Sequence, residues 1–147
     1  MTLSVCLIVK NEEPVLRRCL ACAVQFADEL IVVDTGSTDN SAAIAREYTP
    51  YVYLHPWQNS FAEARNYSYS KATGDYIMWL DADDVVTDEN IGKINRLKEE
   101  VDNVEFAELQ DAVMNMGDEV EEKSFEKAKE REKERTVIDF DAIMKKA

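Results

Sequence analysis

Three carboxylates crowd into four residues at Asp81-Ala82-Asp83-Asp84, directly after the apolar run Tyr76-Ile77-Met78-Trp79-Leu80. Like charges that close repel unless something offsets them. A hard divalent cation does this, and Mg²⁺ typically takes one or two carboxylates and completes its shell with phosphate oxygens. The alternative is an acidic turn or helix cap, because Asp is common at both. The second signal is Asp34, which closes Ile31-Val32-Val33 and opens Thr35-Gly36-Ser37-Thr38-Asp39. A carboxylate at a strand end can accept the imide N–H of a uracil or bond a ribose hydroxyl, and Gly36 permits a tight turn. Equally, Asp34 and Ser37 could simply organise the loop and cap the next helix. The third signal is Ala64-Arg65-Asn66, with Ala72-Thr73-Gly74-Asp75 downstream. An Arg near a helix N-terminus, facing the carboxyl edge of a sheet, could hold a diphosphate; a surface Arg on a charged helix is the alternative.

These residues need elements that bring them together, and the apolar pattern supplies them. Leu3–Val9 is a short, almost continuous apolar run, and so are Glu29–Asp34 and Tyr76–Leu80. Such runs read as strands buried on both faces, as in parallel sheets. Tyr51–Leu54 alternates like a further strand. Val15, Leu16, Cys19, Leu20, Ala23 and Val24 follow Pro14 at helical spacing, and Pro14 suits a first helical turn. A short helix is expected over Ala42–Tyr48. Ser60 and Glu63 have capping-box spacing, which starts a helix there that ends by Thr73-Gly74. Another helix should run from about Asn90 to Val101. Alternating strands and helices predict an α/β fold, in which ligands bind beyond the carboxyl ends of the strands. Asn11 and Glu12, Asp34, and Asp81 to Asp84 all fall there.

Bulk composition narrows the partners. Lys+Arg number 17 against 30 Asp+Glu, a net charge of −13 over 147 residues. Such a chain repels nucleic acid and anionic membrane surfaces, so a small anionic substrate needs a local cation. Cys6, Cys19 and Cys22 are an odd set, and Cys19, Cys22 and Phe26 share one helical face. Core cysteines in a reducing compartment are expected, rather than a disulfide framework or a CxxC metal site. The apolar run Leu3–Val9 is far short of a membrane span and ends at Lys10 and Glu12, so a cytoplasmic location is expected. His55, beside Pro56, reads as a loop residue rather than a catalyst. Asn66-Tyr67-Ser68 fits a glycosylation sequon that a cytosolic chain would not use. There is no GxGxxG after the first strand and no GxxxxGK[ST], which disfavours a dinucleotide fold and a P-loop.

Together the motifs resemble the bacterial family 2 glycosyltransferases. The matching stretches are Ser4–Glu13, Asp28–Asp39, Ala64-Arg65-Asn66, Ala72–Tyr76 and Leu80–Asp84, in the family's order. The resemblance implies a GT-A fold, a Rossmann-like, mostly parallel sheet flanked by helices. It implies a nucleotide diphosphate sugar donor, commonly a UDP-sugar, inversion at the anomeric carbon, and Mg²⁺ or Mn²⁺ as cofactor. Asp34 would match the base- or ribose-binding acid, and Arg65 the donor-contacting Arg. Asp81 and Asp83 would match the DxD pair, with Asp83 closest to the metal. The implied donor-binding set is Val9, Asn11, Glu12, Asp34, Thr35, Arg65, Asp81 and Ala82, and the metal pair is Asp81 and Asp83.

Family members continue past the DxD loop into an acceptor-binding region that supplies a general base. Here 63 residues follow Asp84 (147 − 84). Glu105, Glu108, Asp111 and Asp139 are acids without a recognisable base motif, so the catalytic base is unassigned. The expected division is a donor-binding domain over 1–102 and an acidic helical tail over 103–147. Asp118–Arg135 is almost wholly charged, with Glu119/Lys123 and Glu126/Lys129 pairs that suit a solvated helix. Thr136–Ala147 regains Val137, Ile138, Phe140, Ile143 and Met144, enough to dock on this chain or on a partner, and homodimerisation through the tail is one use for it. Deleting residues 118–147 is expected to leave nucleotide affinity within a few-fold. The sequence thus supports sugar transfer from a nucleotide-sugar to an acceptor it does not identify. The alternative is a catalytically silent nucleotide-sugar-binding or assembly module. A nucleotidyltransferase would also place carboxylates at strand ends, but the first strand is not followed by a glycine-rich, basic phosphate loop.

Overall fold

A computed structural model describes residues 1–101 and 136–139. The elements run β1 (Leu3–Val9), α1 (Glu13–Ala23), β2 (Glu29–Asp34), α2 (Ser41–Tyr48), β3 (Val52–Leu54), α3 (Phe61–Lys71), β4 (Tyr76–Trp79), α4 (Asp88–Val101) and β5 (Thr136–Asp139). Every pairing in the five-stranded sheet is parallel, in the order β3-β2-β1-β4-β5. The expected α/β class, a parallel sheet flanked by helices, is what forms.

The central strands are apolar on both faces because both faces are covered. Leu3, Val5, Leu7 and Val9 of β1 point to one side with Leu30, Val32 and Met78. There they meet Leu16, Cys19, Leu20 and Ala23 of α1, Ile44 and Ala45 of α2, and Ile91 and Ile94 of α4. Cys6, Ile31, Val33 and Ile77 point to the other side, against Tyr69 of α3 and Ala72 just beyond it. The period-2 alternation of a strand sorts the two cores. Leu16 and Leu20 are fully buried, and truncating either to Ala should cost about 2–5 kcal/mol.

Local chemistry sets the ends of the elements. Pro14 stands in the first turn of α1, where its missing N–H has no partner to lose. Ser60 is the extended N-cap of α3, and its hydroxyl accepts the Glu63 N–H at 3.2 Å. The Glu63 carboxylate turns to His55, whose Nε2 lies 2.8 and 3.0 Å from its two oxygens. Cys6, Cys19 and Cys22 are all free thiols. Among the described residues, no helix is long and apolar enough to cross a membrane.

The tail departs from the helical expectation at one place. Thr136–Asp139 is a strand that extends the sheet, with Thr136 opposite Tyr76 and Asp139 opposite Trp79. Thr136, Val137 and Ile138 are β-branched, which favours a pleated conformation over a helix. The sheet therefore reaches past the expected boundary at residue 102. The charged stretch Asp118–Arg135, and Glu105, Glu108 and Asp111, lie outside the described residues.

Candidate functional site

The strand order places a reversal between β1 and β4. From β1 the chain steps outward through β2 to β3, then returns through α3, on the opposite face, to β4 on the other side of β1. Loops diverge at such a point and leave a crevice beyond the carboxyl ends. A cleft of about 370 Å³ opens there, within the usual size of small-molecule sites. Ile8, Val9, Lys10 and Glu12 reach it from the end of β1, and Thr35 from the end of β2. Asp81, Ala82 and Asp83 reach it from the turn after β4. Trp57, Phe61 and Arg65 complete the lining from the β3–α3 loop and α3.

The acidic turn divides its carboxylates between two tasks. The Asp84 carboxylate accepts the Asp81 N–H at 3.0 Å, and the Asp84 N–H returns to the Asp81 carbonyl at 3.0 Å. Asp84 therefore folds the turn, as the cap reading anticipates for one of the three acids. Ala82 is buried, which anchors the middle of the turn while Asp81 and Asp83 line the cleft. From beneath, the Cys19 thiol donates to the Asp81 carbonyl at 3.3 Å. Burial above all, and then the nearby carboxylates, push this thiol up to about 12, so it stays a donor.

Arg65 faces that turn from the second turn of α3. Its guanidinium lies 3.9 Å from Asp81 Oδ1 and stacks 4.4 Å over the Trp79 ring. A guanidinium over an indole is held by cation–π attraction and can still offer its N–H fork to anions. Lys10 brings a second cation to the cleft. Among the described residues, no cluster of three or more His, Cys, Asp or Glu could cage a metal alone. Two exposed or half-exposed carboxylates beside room for phosphate are the open, all-oxygen donor set that Mg²⁺ and Mn²⁺ take. The residues fit such an ion.

Behind the cleft, two loops are laced together. Asn11 adopts a φ of 54°, a left-handed conformation that Asn tolerates better than most residues. Its Oδ1 accepts the N–H of Thr38 at 2.7 Å and of Asp39 at 3.4 Å, while its own N–H donates to Ser37 Oγ at 2.9 Å. The Glu12 N–H donates to Ser41 Oγ at 2.9 Å. Hydrogen bonds from the Asn40 side chain and backbone hold the Glu13 carboxyl below its ordinary range. Buried Asp34 accepts Gly36 and Ser37 N–H groups on Oδ1, at 3.1 and 2.8 Å. Gly36 sits at φ 112°, where a side chain would be strained.

Of the residues singled out in the sequence, Val9, Glu12, Thr35, Arg65, Asp81, Ala82 and Asp83 meet in the one cleft. Asn11 and Asp34 are not among its lining and shape the loops beside it. Ala72-Thr73-Gly74-Asp75 lies at the opposite edge of the sheet, bonded to Thr2, Ser4 and Glu29. Ile8, Lys10, Trp57 and Phe61 escaped the sequence reading as site residues. Two aromatics bracketing a capping Ser60 in a polar loop were the available signal.

The model of the family described as "Glycosyl transferase family 2" matches residues 4–141. The chain belongs to glycosyltransferase family 2. Among curated relatives, a TPR repeat-containing protein of Synechococcus elongatus is 47% identical over 55% of this chain and 20% of its own length. The SPbeta prophage-derived glycosyltransferase SunS of Bacillus subtilis is 35% identical over 65% of this chain and 23% of its own length. This chain thus spans about a fifth to a quarter of those relatives. Among solved structures, glucosyl-3-phosphoglycerate synthase of Mycobacterium tuberculosis, in complex with Mn²⁺ and UDP-glucose, superposes with a TM-score of 0.51. It is 28% identical over 57% of this chain and 34% of its own. S. aureus TarS, at 22% identity and a TM-score of 0.55 over 68% of this chain and 33% of its own, shares the fold.

Proposed function

We infer that this chain is the donor-binding portion of a glycosyltransferase that takes a nucleotide diphosphate sugar, a UDP-sugar first, and passes the sugar to an acceptor with inversion. One observation carries the reading. The Asp81/Asp83 carboxylates and the Arg65 and Lys10 cations line the same cleft at the sheet's reversal point. That mixture suits a diphosphate: the cations meet phosphate oxygens directly, and the carboxylates would hold Mg²⁺ or Mn²⁺. Bound there, the ion supplies Lewis-acid neutralisation of the charge that builds on the diphosphate leaving group. Arg65 adds a charge-assisted, two-pronged contact to the same oxygens. Thr35, Val9 and Glu12 border the nucleoside, and Asp34 and Asn11 fix the loops that present them. The Mn²⁺–UDP-glucose complex of the mycobacterial relative supports this choice of ligand and ion.

The acceptor's general base belongs to the portion of family members beyond this cleft, and the three free thiols suit a reducing, cytoplasmic setting. Calorimetric titration with UDP, UDP-sugars and GDP-sugars, with and without Mn²⁺ or Mg²⁺, tests the reading. Metal-dependent binding of one nucleotide is expected. No binding of any nucleotide would hand the function to a silent assembly module.

A further inference from the structure

The cleft has an apolar side that the diphosphate chemistry leaves unused. Trp57 and Phe61 both line it, with ring centroids 4.8 Å apart and planes at 68°. Phe61 is 65% exposed, so its ring is open to a ligand entering the cleft. The pair is also held in place. The Trp57 N–H donates to the Thr35 carbonyl at 3.2 Å, and the His55 N–H to the Asp34 carbonyl at 2.8 Å. The His55 ring is gripped by Glu63 and stacked 4.0 Å from Tyr67. The loop that carries Trp57 is therefore pinned to the end of β2 on one side and to α3 on the other.

We propose that Trp57 and Phe61 form the aromatic wall for the donor's nucleobase, one ring presenting its face and the other its edge. The deduction rests on the donor-site reading above and adds the residues that hold the base. Position selects the base over the sugar. Trp57 is bonded to Thr35, next to Asp34, at the β2 end of the cleft, whereas the carboxylates lie at the β4 end. Phe61 and Arg65 are four residues apart on α3, about 6 Å along the axis at 1.5 Å per residue. One face of a single helix thus offers an aromatic ring and, one turn on, a cation for phosphate. A planar base on the ring and its diphosphate on the guanidinium would span that step. Stacking on aromatic rings tolerates any base, so selectivity among bases falls to the polar groups of the β1 and β2 ends.

The test titrates uridine, UDP and UDP-glucose, each with Mn²⁺, into the wild-type chain, Phe61→Ala and Trp57→Ala. Direct Mn²⁺ binding in each variant is followed by electron paramagnetic resonance. Affinity for all three ligands should fall together, by about ten-fold for each variant, with Mn²⁺ binding unchanged. Phe61 is mostly exposed, so its variant stays informative if Trp57→Ala fails to fold. Unchanged uridine and UDP affinity in Phe61→Ala would overturn the proposal. A loss confined to UDP-glucose would overturn it too, by assigning the wall to the sugar. If the wild-type chain binds no nucleotide at all, the donor-site reading falls and takes this one with it, an outcome distinct from the other two.

Discussion

The two edges of the sheet treat their carboxylates in opposite ways. At the amino edge, Glu29 accepts from Ser4 Oγ at 2.5 Å and from the Thr73 N–H and hydroxyl at 2.8 and 3.0 Å. There too, Asp75 accepts from the Thr2 N–H and hydroxyl at 2.9 and 2.8 Å. At the carboxyl edge, Asp83 is exposed, and Asp81 meets the Arg65 guanidinium at 3.9 Å across a cleft. Acids at the first edge are satisfied by short-range protein donors and hold the strands in register. At the second, Asp34 and Asp84 likewise accept backbone N–H groups, but Asp81 and Asp83 face a space that a ligand can enter. Residue type alone does not separate these roles; the surrounding donors do.

Substituting one acid from each edge should separate them cleanly. Asp83→Asn is expected to abolish metal-dependent nucleotide binding, a loss of several kcal/mol, while the thermal midpoint holds. Calorimetry with and without Mn²⁺ reads the first and a melting scan the second. Unchanged affinity would remove Asp83 from the metal site. Removing Thr136–Ala147 strips β5 from β4 and its four register pairs. At about 1 kcal/mol for each ladder hydrogen bond lost, this should lower stability by roughly a few kcal/mol in denaturant unfolding. Glu29→Ala empties the acceptor of three hydrogen bonds and should cost about 3 kcal/mol. Nucleotide affinity of the folded fraction should stay level; a fall with the stability would erase the distinction between the edges.

Gly74→Ala probes the same edge more gently. A Cβ there would stand 2.6 Å from Ser4 Oγ, 3.0 Å from Ser4 N and 3.1 Å from the Thr2 carbonyl. Ser4 is fully buried and tied to Glu29, so it has little freedom to give way. A loss of about 2 kcal/mol follows, again without an effect on donor affinity. A neutral result would mean that the β1 start shifts as a unit.

Much of this was legible in the residues because the apolar runs and the polar clusters follow different rules. Almost continuous apolar runs at Leu3–Val9, Glu29–Asp34 and Tyr76–Leu80 suit a doubly covered sheet, and the acids that follow them then share one edge. The cleft-lining acids could not be told from the turn-making one, since what sets Asp84 apart is the Asp81 N–H that its carboxylate accepts, which residue type does not encode. Ala72-Thr73-Gly74-Asp75 travels with Arg65 in sequence, yet α3 carries it to the far edge, a distance that motif order does not encode. Thr136–Asp139 was hidden for a different reason. Four β-branched or apolar-adjacent residues after a charged stretch are too short to call a strand until β4 offers its open side.

The smallest effect distinguishes the edges by pH. Partial burial favours the neutral form of Asp28, but the Lys98 ammonium at 2.8 Å and the Leu3 N–H at 2.7 Å outweigh it and hold this carboxyl below its ordinary value of 3.8. A depressed folded-state value means that the folded chain binds its proton later than the unfolded chain does. The stabilisation is therefore fully present above the ordinary value and is lost as pH falls through the depressed one. Asp28→Asn should flatten the acid limb of the stability–pH curve below about pH 4 and leave the curve's shape near neutrality alone. The side chain is 41% exposed, so solvent screening keeps the change modest. Because Asp28 and the cleft sit at opposite edges, metal-dependent donor binding should show no matching change. Urea unfolding at stepped pH, set beside calorimetry at the same values, decides it: an acid limb as steep in Asp28→Asn as in the wild type would assign the acid sensitivity to the other depressed carboxylates, such as Glu13.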